Sequence, residues 1–212
     1  MQQISRSVHV IDHPVTTDAL AHLRNVQTDT TRFRYYSDRL CTVVMGEAIR
    51  GLGFTESVIA TPLTETTVQT LSDEIVVIPV LRAGLAMLSA ALQLLPGSSF
   101  GFAGLARDEK TAIAREYYWK LPHIGPDTVV LMVDPMLATG GSICHALSKI
   151  VQLKPQAIRI ASVLAAPEGL ERVLQEYPEI EIYTAAIDDH LNEQKYIVPG
   201  LGDYGDRYFG TV

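Results

Sequence analysis

The 212-residue chain has 47% hydrophobic and 19% charged residues, a composition typical of one soluble globular domain with a full core. Its formal net charge of −7 argues against a surface for nucleic acid or an anionic membrane, because such surfaces need clustered Lys and Arg. Its two cysteines, Cys41 and Cys144, lie far apart and outside any CxxC pattern. We therefore expect a reduced cytoplasmic protein without a cysteine-based metal site.

The N-terminal part of the chain is predicted to be mostly helical. Residues 1–14 are polar and lack the apolar segment of a secretory signal. Helices are predicted over Asp18–Asn25 and Thr28–Arg50, and short strands over Ser57–Pro62 and Glu65–Leu71, the last at a sheet edge. The second helix carries an apolar stripe, which indicates a core or dimer contact more than a ligand site. Its members are Phe33, Tyr36, Leu40, Val43, Val44 and Ala48.

The longest apolar stretch, Ile75–Leu95, is interrupted by polar residues and is too short on either side of Arg82 to cross a bilayer. It is predicted instead as a buried strand, Glu74–Val80, a loop, and a helix over about Leu85–Leu95. An anion could meet backbone N–H groups at the helix start, where the guanidinium fork of Arg82 matches phosphate oxygens. A lone arginine in a turn is, however, usually a surface charge.

A hairpin arm is predicted in the middle of the chain. Ser99–Ala106 is typical of a strand, Arg107–Thr111 is a charged tip, and Glu116–Pro122 is an aromatic return strand. Such an arm could close over a site and exclude water from it. The alternative is a solvent-exposed loop without a functional role.

A buried strand and a small-residue loop are predicted around Asp134. Val129–Val133 are apolar without alternation, as in a strand buried on both faces of a parallel sheet, and Asp134 follows at its carboxyl end, where ligands bind. The loop Ala138–Ser142 then leads into a predicted helix, Ser142–Val151. Its glycines let backbone N–H groups converge on a phosphate, and Asp134 offers an acceptor for sugar hydroxyls. An ordinary βα turn remains the alternative, whereas the missing Gly-Lys-Ser/Thr argues against a Walker A motif.

The alternation of strand and helix continues after this loop. Ala157–Leu164 is predicted as a strand, Pro167–Tyr177 as a helix with proline in its first turn, and Ile180–Ile187 as a further strand. This order implies right-handed crossovers and a parallel sheet, so the fold class is α/β. No composition shift or linker marks a second domain, and we expect a single domain over residues 1–212.

A glycine-rich segment, Tyr196–Arg207, follows the last predicted strand. It contains a literal GxGxxG at Gly200, Gly202 and Gly205, but too few residues follow for the helix, strand and acid of a dinucleotide-binding unit. An exposed backbone can instead present N–H and C=O groups to the edge of a planar base. Such a site rejects bases whose edge would leave buried polar groups unpaired. The segment is therefore predicted to bind a base.

Four of these segments resemble motifs of the phosphoribosyltransferases. Asp134–Ser142, Asp-Pro-Met-Leu-Ala-Thr-Gly-Gly-Ser, is similar to the phosphoribosyl pyrophosphate loop in the Asp-Pro form typical of uracil phosphoribosyltransferases. Val77–Leu85 resembles their pyrophosphate loop, and Gly104–Glu109 with Tyr117–Pro122 resembles their arm, whose arginine binds phosphoribosyl pyrophosphate. Tyr196–Arg207 closely resembles their uracil-binding hood. The resemblance is weaker in the N-terminal part of the chain.

The resemblance implies the type I phosphoribosyltransferase fold, a parallel twisted sheet flanked by helices with a flexible β-hairpin arm and a C-terminal hood. Residues 1–55 would supply N-terminal helices, about 72–190 the core, and 191–212 the hood. The implied activity is pyrimidine salvage, in which uracil and phosphoribosyl pyrophosphate give UMP and pyrophosphate. Mg²⁺ as cofactor, GTP binding, a cytoplasmic location and a homodimer or higher homo-oligomer belong to the same expectation, whereas nucleic acid and membrane partners do not.

The resemblance also assigns residue roles. Arg107 and Asp203 would be catalytic, and Asp203 would lie near the sugar and the Mg²⁺, which is otherwise held through the substrate. Uracil would meet the segment containing Ile197, Gly202, Asp203 and Tyr204, mainly through backbone groups. The residues expected to contact phosphoribosyl pyrophosphate are Arg82, Arg107, Asp134, Pro135, Met136, Leu137, Ala138, Thr139, Gly140, Gly141, Ser142 and Asp203.

Three alternatives remain open at this point. A regulatory protein of the same fold could bind phosphoribosyl pyrophosphate or a nucleotide without turnover, and transfer to another base is limited by the hood sequence. Tyr204 stands where the family usually has alanine. Its phenol is expected to point outward or to line the mouth of the site, and the rival hypothesis is that it narrows the uracil pocket.

Overall fold

Strands and helices alternate along most of the chain in this computed structural model, which describes residues 7–107 and 114–211. The strands in chain order are β1 (Val8–Val10), β2 (Phe54–Ala60), β3 (Glu65–Leu71), β4 (Glu74–Leu81), β5 (Ser99–Phe100), β6 (Phe102–Arg107), β7 (Ala114–Lys120), β8 (Thr128–Val133), β9 (Met136–Leu137), β10 (Ala157–Ala165), β11 (Glu181–Ile187), β12 (His190–Leu191) and β13 (Ile197–Val198). The α-helices are α1 (Pro14–Arg24), α2 (Thr30–Ala48), α3 (Leu88–Leu94), α4 (Gly141–Ile150), α5 (Pro167–Glu176) and α6 (Tyr204–Phe209). Short 3-10 helices cover Ala83–Met87 and Val151–Leu153.

The central sheet has the strand order β1-β11-β10-β8-β4-β6-β7, with β5 and β9 added beside β4 and β10. Neighbouring strands from β1 to β6 are parallel, and β7 returns antiparallel to β6. Helices cover the sheet, so the predicted α/β class with a mostly parallel sheet is confirmed. Because β4 and β8 are neighbours, the loops that follow them leave the sheet side by side.

The apolar runs of the central strands are explained by burial on both faces. Along β4, Val77 belongs to the core under α2 and α3, whereas Val76 belongs to the core under α4 and α5. Along β8, Leu131 and Met132 are divided between the same two cores. Successive side chains of a strand point to opposite faces, and the run cannot alternate with polar residues when both faces are covered. Of the helices in the described ranges, none has the length and apolar character needed to cross a membrane.

Several predicted element boundaries differ from the structure. The predicted helix Leu85–Leu95 is a 3-10 helix followed by the shorter α3. The predicted strand Ser99–Ala106 is interrupted at Gly101, where a Cβ atom would lie 2.6 Å from a methyl carbon of Leu121. Strand β1 was not predicted, because three residues are too short to show a pattern.

The hairpin of β2 and β3 is separate from the central sheet. The two strands pair antiparallel with each other alone among the described residues, from Phe54 with Leu71 to Ala60 with Glu65. Both strands were predicted, and β3 is an edge strand as expected, although its sheet has only two strands. Every residue of β2 is exposed, so this hairpin presents two uncovered faces instead of one buried face.

Candidate active site

A cavity of about 780 Å³ lies at the carboxyl ends of the central strands. The loop after β4, the loop after β8 and the C-terminal segment all reach it, as expected for ligand sites of parallel sheets. The residues with predicted roles that line this cavity are Arg82, Asp134, Met136, Ala138, Ser142, Ile197, Gly202, Asp203 and Tyr204. Three stretches that lie far apart in the sequence therefore border one space.

The loop after β8 places a carboxylate and a helix start at the cavity. Asp134 is half-buried, and its Oδ1 accepts a hydrogen bond from the backbone N–H of Met136 at 3.3 Å. Gly140 precedes α4 with a φ of 71°, in the left-handed region that favours glycine. Gly140 provides no side-chain cap for α4, and the N–H of Gly141 makes a long hydrogen bond of 3.4 Å to Oγ1 of Thr139, so an anion can compete for the first N–H groups of the helix.

Other residues of this loop lie behind the cavity wall. The sequence predicts that Pro135 ends the strand ladder, but its carbonyl accepts hydrogen bonds from the N–H groups of Val163 and Leu164, and pairing resumes in β9. Leu137 is 1% exposed and belongs to the core. Any contact of these two predicted residues with a substrate would thus involve their backbone. The predicted loop residues that do not line the cavity are Pro135, Leu137, Thr139, Gly140 and Gly141.

Arg82 connects the loop after β4 to the C-terminal segment. Its Nη2 lies 3.4 Å from Oδ1 of Asp206, and its side chain is 64% exposed. A contact of this length between exposed groups contributes little stability. The guanidinium at the cavity wall is therefore available to an anionic ligand, which pairs with its fork better than one distant carboxylate oxygen does.

A buried ion pair attaches the beginning of the C-terminal segment to the N-terminal helices. Asp188, which follows β11, is buried and accepts hydrogen bonds from both terminal nitrogens of Arg24. The same aspartate accepts the N–H of Gly200, and Arg24 donates to the carbonyl of Gly200, each at 2.8 Å. The backbone N–H and C=O groups of Gly200 are thus both hydrogen-bonded to this ion pair.

Arg207 provides a second attachment from within the C-terminal segment. Its guanidinium donates to the carbonyls of Leu23 and Asn25 beside α1 and to Leu201 within its own segment. The guanidinium carbon lies 4.5 Å from the centre of the Phe33 ring, a cation–π contact with α2. Arg24, Asp188 and Arg207 thus fix the segment that carries Gly202 and Asp203, although none of the three lines the cavity.

Asp203 lines the cavity and also caps a helix. Its Oδ1 accepts the N–H of Asp206 at 2.8 Å at the start of α6, which fixes the carboxylate. Within the described ranges, no group of three His, Cys, Asp or Glu side chains could hold a metal ion. A carboxylate suits Mg²⁺, which keeps most of its ligands from water and substrate phosphates, so Asp203 fits a site completed by the substrate.

The sequence-based hypothesis expects the phenol of Tyr204 to point outward or to line the mouth of the site. The phenol does neither. The residue is 1% exposed, and its hydroxyl is 2.6 Å from Oγ of Ser37 inside the core. Burial raises the pKa of the phenol well above its ordinary value, so the group stays neutral. The aromatic ring therefore fills space against α2. A Tyr204→Ala variant would open a core cavity, so it cannot decide whether the ring obstructs uracil.

The contribution of the turn between β12 and β13 was missed by the sequence analysis. Glu193, Gln194 and Lys195 line the cavity beside Tyr196, the first residue of the predicted base-binding segment. The available signal was a polar Asn-Glu-Gln-Lys stretch between Leu191 and the apolar Ile197–Val198, which is typical of a turn. Lys195 adopts a φ of 66°, as turn residues do, and adds a cation to the rim.

The predicted arm is described only up to its tip. Strands β6 and β7 pair from Phe102 with Lys120 to Arg107 with Ala114, with an irregularity at Gly104 and Leu105. Leu105 lines the cavity, so the base of the hairpin reaches the site. The tip residues 108–113 lie outside the described residues, as does the side chain of Arg107.

The two cysteines do not provide a nucleophile. Burial raises the pKa of the Cys41 thiol to about 12 and that of Cys144 to about 11, so both remain protonated at neutral pH. A chemistry that relies on positioned charges, without a covalent intermediate, is consistent with this arrangement.

Comparison with known proteins identifies the family of this chain. The model of the uracil phosphoribosyltransferase family matches residues 10–211. The chain belongs to the uracil phosphoribosyltransferase family. A uracil phosphoribosyltransferase of Exiguobacterium sibiricum is 43% identical over 96% of this chain and 98% of its own length. One from Campylobacter fetus is 42% identical over 98% of this chain and 99% of its own.

Solved structures show how this chain relates to proteins of the wider fold. The AQ2163 protein from Aquifex aeolicus superposes with a TM-score of 0.91 and 35% identity, over 95% of this chain and 97% of that one. Adenine phosphoribosyltransferase from Leishmania donovani gives a TM-score of 0.57 at 13% identity, over 92% of this chain and 89% of that one. The second similarity concerns the fold alone, and it confirms the predicted type I phosphoribosyltransferase architecture.

Proposed function

We propose that this protein transfers the 5-phosphoribosyl group of phosphoribosyl pyrophosphate to uracil, giving UMP and pyrophosphate. The observation that carries the proposal is one cavity lined by Arg82, by Asp134, Met136, Ala138 and Ser142 of the loop after β8, and by the segment Gly202–Tyr204. These three parts supply a cation, a phosphate-binding helix start and a backbone edge for a base. No observation on the described residues favours a regulatory protein without turnover.

The proposed placement of the substrates follows the chemistry of each part of the cavity. The 5′-phosphate would accept hydrogen bonds from the backbone of Ala138–Ser142, and Asp134 would accept from ribose hydroxyls. Arg82 and Arg107 would take the pyrophosphate side. Uracil would meet backbone groups of the residues that the resemblance assigns to it, which are Ile197, Gly202, Asp203 and Tyr204.

In this proposal, catalysis depends on stabilising the charge that develops as pyrophosphate leaves. The bond between the ribose anomeric carbon and the pyrophosphate oxygen breaks, and its electron pair leaves with pyrophosphate. A bond to a uracil ring nitrogen forms as that nitrogen loses its proton to water. The ribose carbon becomes oxocarbenium-like while negative charge grows on the leaving pyrophosphate. Mg²⁺ would neutralise part of that charge when bound with the substrate. Arg82 would bind the pyrophosphate, and Asp203 would hold a fixed carboxylate near the sugar.

Pyrophosphate release with a panel of free bases tests this proposal. With phosphoribosyl pyrophosphate and Mg²⁺ supplied, uracil should be the preferred acceptor because the backbone edge of the hood selects the pattern of donors and acceptors. Hypoxanthine and orotate serve as the competing bases. Equal rates with either of them would overturn the assignment of uracil.

Arg107→Ala should lower kcat by about a hundredfold or more, since a cation at this position would act on charge that grows as pyrophosphate leaves. The affinity for uracil should change much less. Steady-state kinetics with both substrates varied separate the two parameters. Lys154→Ala, on the far side of α4 after the Val151–Leu153 turn, removes a cation away from the cavity and is the control. A variant of Arg107 that changes only the KM for uracil would disprove the assigned role.

The proposal extends to a homodimer, and the hairpin β2–β3 offers a surface for it. Phe54, Val58, Ile59 and Leu63 are exposed apolar residues of this hairpin, whose strands form a two-stranded sheet separate from the central one. Exposed apolar patches and unpaired strand edges are typical of interaction surfaces. A cytoplasmic location and GTP binding are part of the same proposal through family resemblance. Residues 1–212 would form one domain, in which 191–212 is the hood.

A further inference from the structure

The segment expected to read the base is attached to α2 by the side chain of Tyr204. Tyr204 directly follows Gly202 and Asp203 of the cavity wall, and it is the first residue of α6. Its hydroxyl lies 2.6 Å from Oγ of Ser37, and its ring contacts Phe33 edge to face with centroids 5.1 Å apart. The side chain thus points into the core while its own residue borders the cavity.

The hydrogen bond between Tyr204 and Ser37 holds a defined geometry because both groups are shielded from water. Ser37 is fully buried and Tyr204 is 1% exposed. Within residues 7–107 and 114–211, the further hydrogen-bond partner of both hydroxyls is the weakly bonding Sγ of Cys41, at 3.8 Å from Tyr204 and 3.9 Å from Ser37. Each hydroxyl therefore depends on the other, and moving the backbone of Tyr204 would leave both unpaired at a cost.

Gly202 and Asp203 lie between two attachments. On one side, Arg24 and Asp188 hold Gly200. On the other side, Tyr204 is held by Ser37. Gly202 itself has a φ of 82°, which glycine adopts without strain because it has no Cβ atom. The position of Gly202 is consequently determined by these attachments and by Arg207, which donates to the carbonyl of the preceding Leu201.

We propose that Tyr204 is a positioning residue for the base, whose hydrogen bond to Ser37 fixes the backbone of Gly202 and Asp203 at the distance that uracil requires. This inference rests on the proposed function, in which that backbone meets uracil. The hydroxyl acts through the backbone and does not touch the substrate. Asp203 is held separately through its cap of α6, so binding of phosphoribosyl pyrophosphate depends less on the hydroxyl.

Three variants test the inference: Tyr204→Phe, Ser37→Ala and the double variant. Each single variant should raise the KM for uracil by about fivefold, while kcat and the KM for phosphoribosyl pyrophosphate stay within about twofold. The KM for uracil of the double variant should equal that of either single variant, because all three variants lack the same hydrogen bond. The double variant removes both hydroxyls, so recovery of its melting temperature together with a still elevated KM separates positioning from simple stability.

Two matched controls remove a phenol hydroxyl elsewhere. Tyr183→Phe breaks a contact with Glu181 in β11, and Tyr208→Phe breaks one with Asp38 between the same two helices, α6 and α2. Both should leave the KM for uracil within about twofold. A rise in Tyr208→Phe equal to that in Tyr204→Phe, additive effects in the double variant, or lowered stability with an unchanged KM would each overturn the inference.

The wild-type protein distinguishes this inference from the proposed function. If it releases pyrophosphate with uracil but the variants behave as wild type, the inference fails and the function stands. If it uses another base instead, the function as proposed fails, and the same comparison is made on the KM for that base. Absence of transfer to any base overturns both.

Discussion

Gly141→Val should abolish binding of phosphoribosyl pyrophosphate while leaving the protein folded. A Cβ atom at Gly141 would lie 3.3 Å from Nη1 of Arg172 and 3.5 Å from Oγ1 of Thr139, which are the ends of side chains that can shift. The branched side chain of valine would crowd Thr139, whose Oγ1 accepts the N–H of Gly141, at the helix start where the phosphate is proposed to bind. We expect a loss of at least about a thousandfold in affinity, or roughly 4 kcal/mol, in calorimetric titration.

Gly97→Val is the matched control for this experiment. Gly97 is exposed in the turn before β5, and a Cβ atom there would meet no atom within 4 Å. The affinity of Gly97→Val for phosphoribosyl pyrophosphate should equal that of the wild type, and both variants should show cooperative unfolding. Gly140 is unsuitable as a target, because its positive φ and the carbonyl of Gly169 at 3.0 Å would strain any side chain. Unchanged affinity in Gly141→Val would return the loop to the role of an ordinary turn.

Asp188→Asn should destabilise the protein by about 3 kcal/mol, since removing one partner of a buried ion pair leaves the other charge uncompensated. The amide can accept from Gly200 or Arg24, but it cannot match the charge of Arg24, which also donates to Gly200. Urea unfolding measures the loss. The KM for uracil should rise as well, because Gly200 leads directly into the base-binding segment.

An exposed ion pair supplies the comparison for this prediction. Glu47 accepts two hydrogen bonds from Arg50 at the end of α2, and the arginine side chain is largely exposed. Glu47→Gln should change stability by no more than about 0.5 kcal/mol, as exposed pairs usually do. Equal losses in the two variants would show that the Asp188 pair contributes no more than a surface contact.

The central part of the fold and the cavity were predictable from the sequence because one physical signal was strong there. Unbroken apolar runs such as Val129–Val133 indicate strands covered on both faces, and the polar residue that follows each run marks the carboxyl edge. Asp134 was found in this way, whereas Arg82 was assigned through the resemblance, and both line the cavity. The base-binding segment required the resemblance, since a glycine-rich stretch alone fits many loops.

The parts that were not predicted depend on contacts between distant residues. Nothing local to Arg24 or Asp188 shows that they pair, because they are separated by 164 residues. The burial of Tyr204 depends on a small Ser37 opposite it in α2, a complementarity between two helices that periodicity does not reveal. The separation of the hairpin β2–β3 from the central sheet was not predicted for a related reason, since its alternating threonines fit an edge of either sheet.

The attachment of the C-terminal segment to α1 and α2 has a consequence for biosynthesis. Arg24 and Gly200 are 176 residues apart, and Arg207 reaches back 184 residues to Leu23. Contacts of such separation form late, because the intervening chain must first be ordered. On the ribosome, α1 and α2 emerge long before the segment that covers them. The nascent protein therefore passes through a period in which the loop proposed to bind phosphate has been synthesised but the proposed base site does not yet exist.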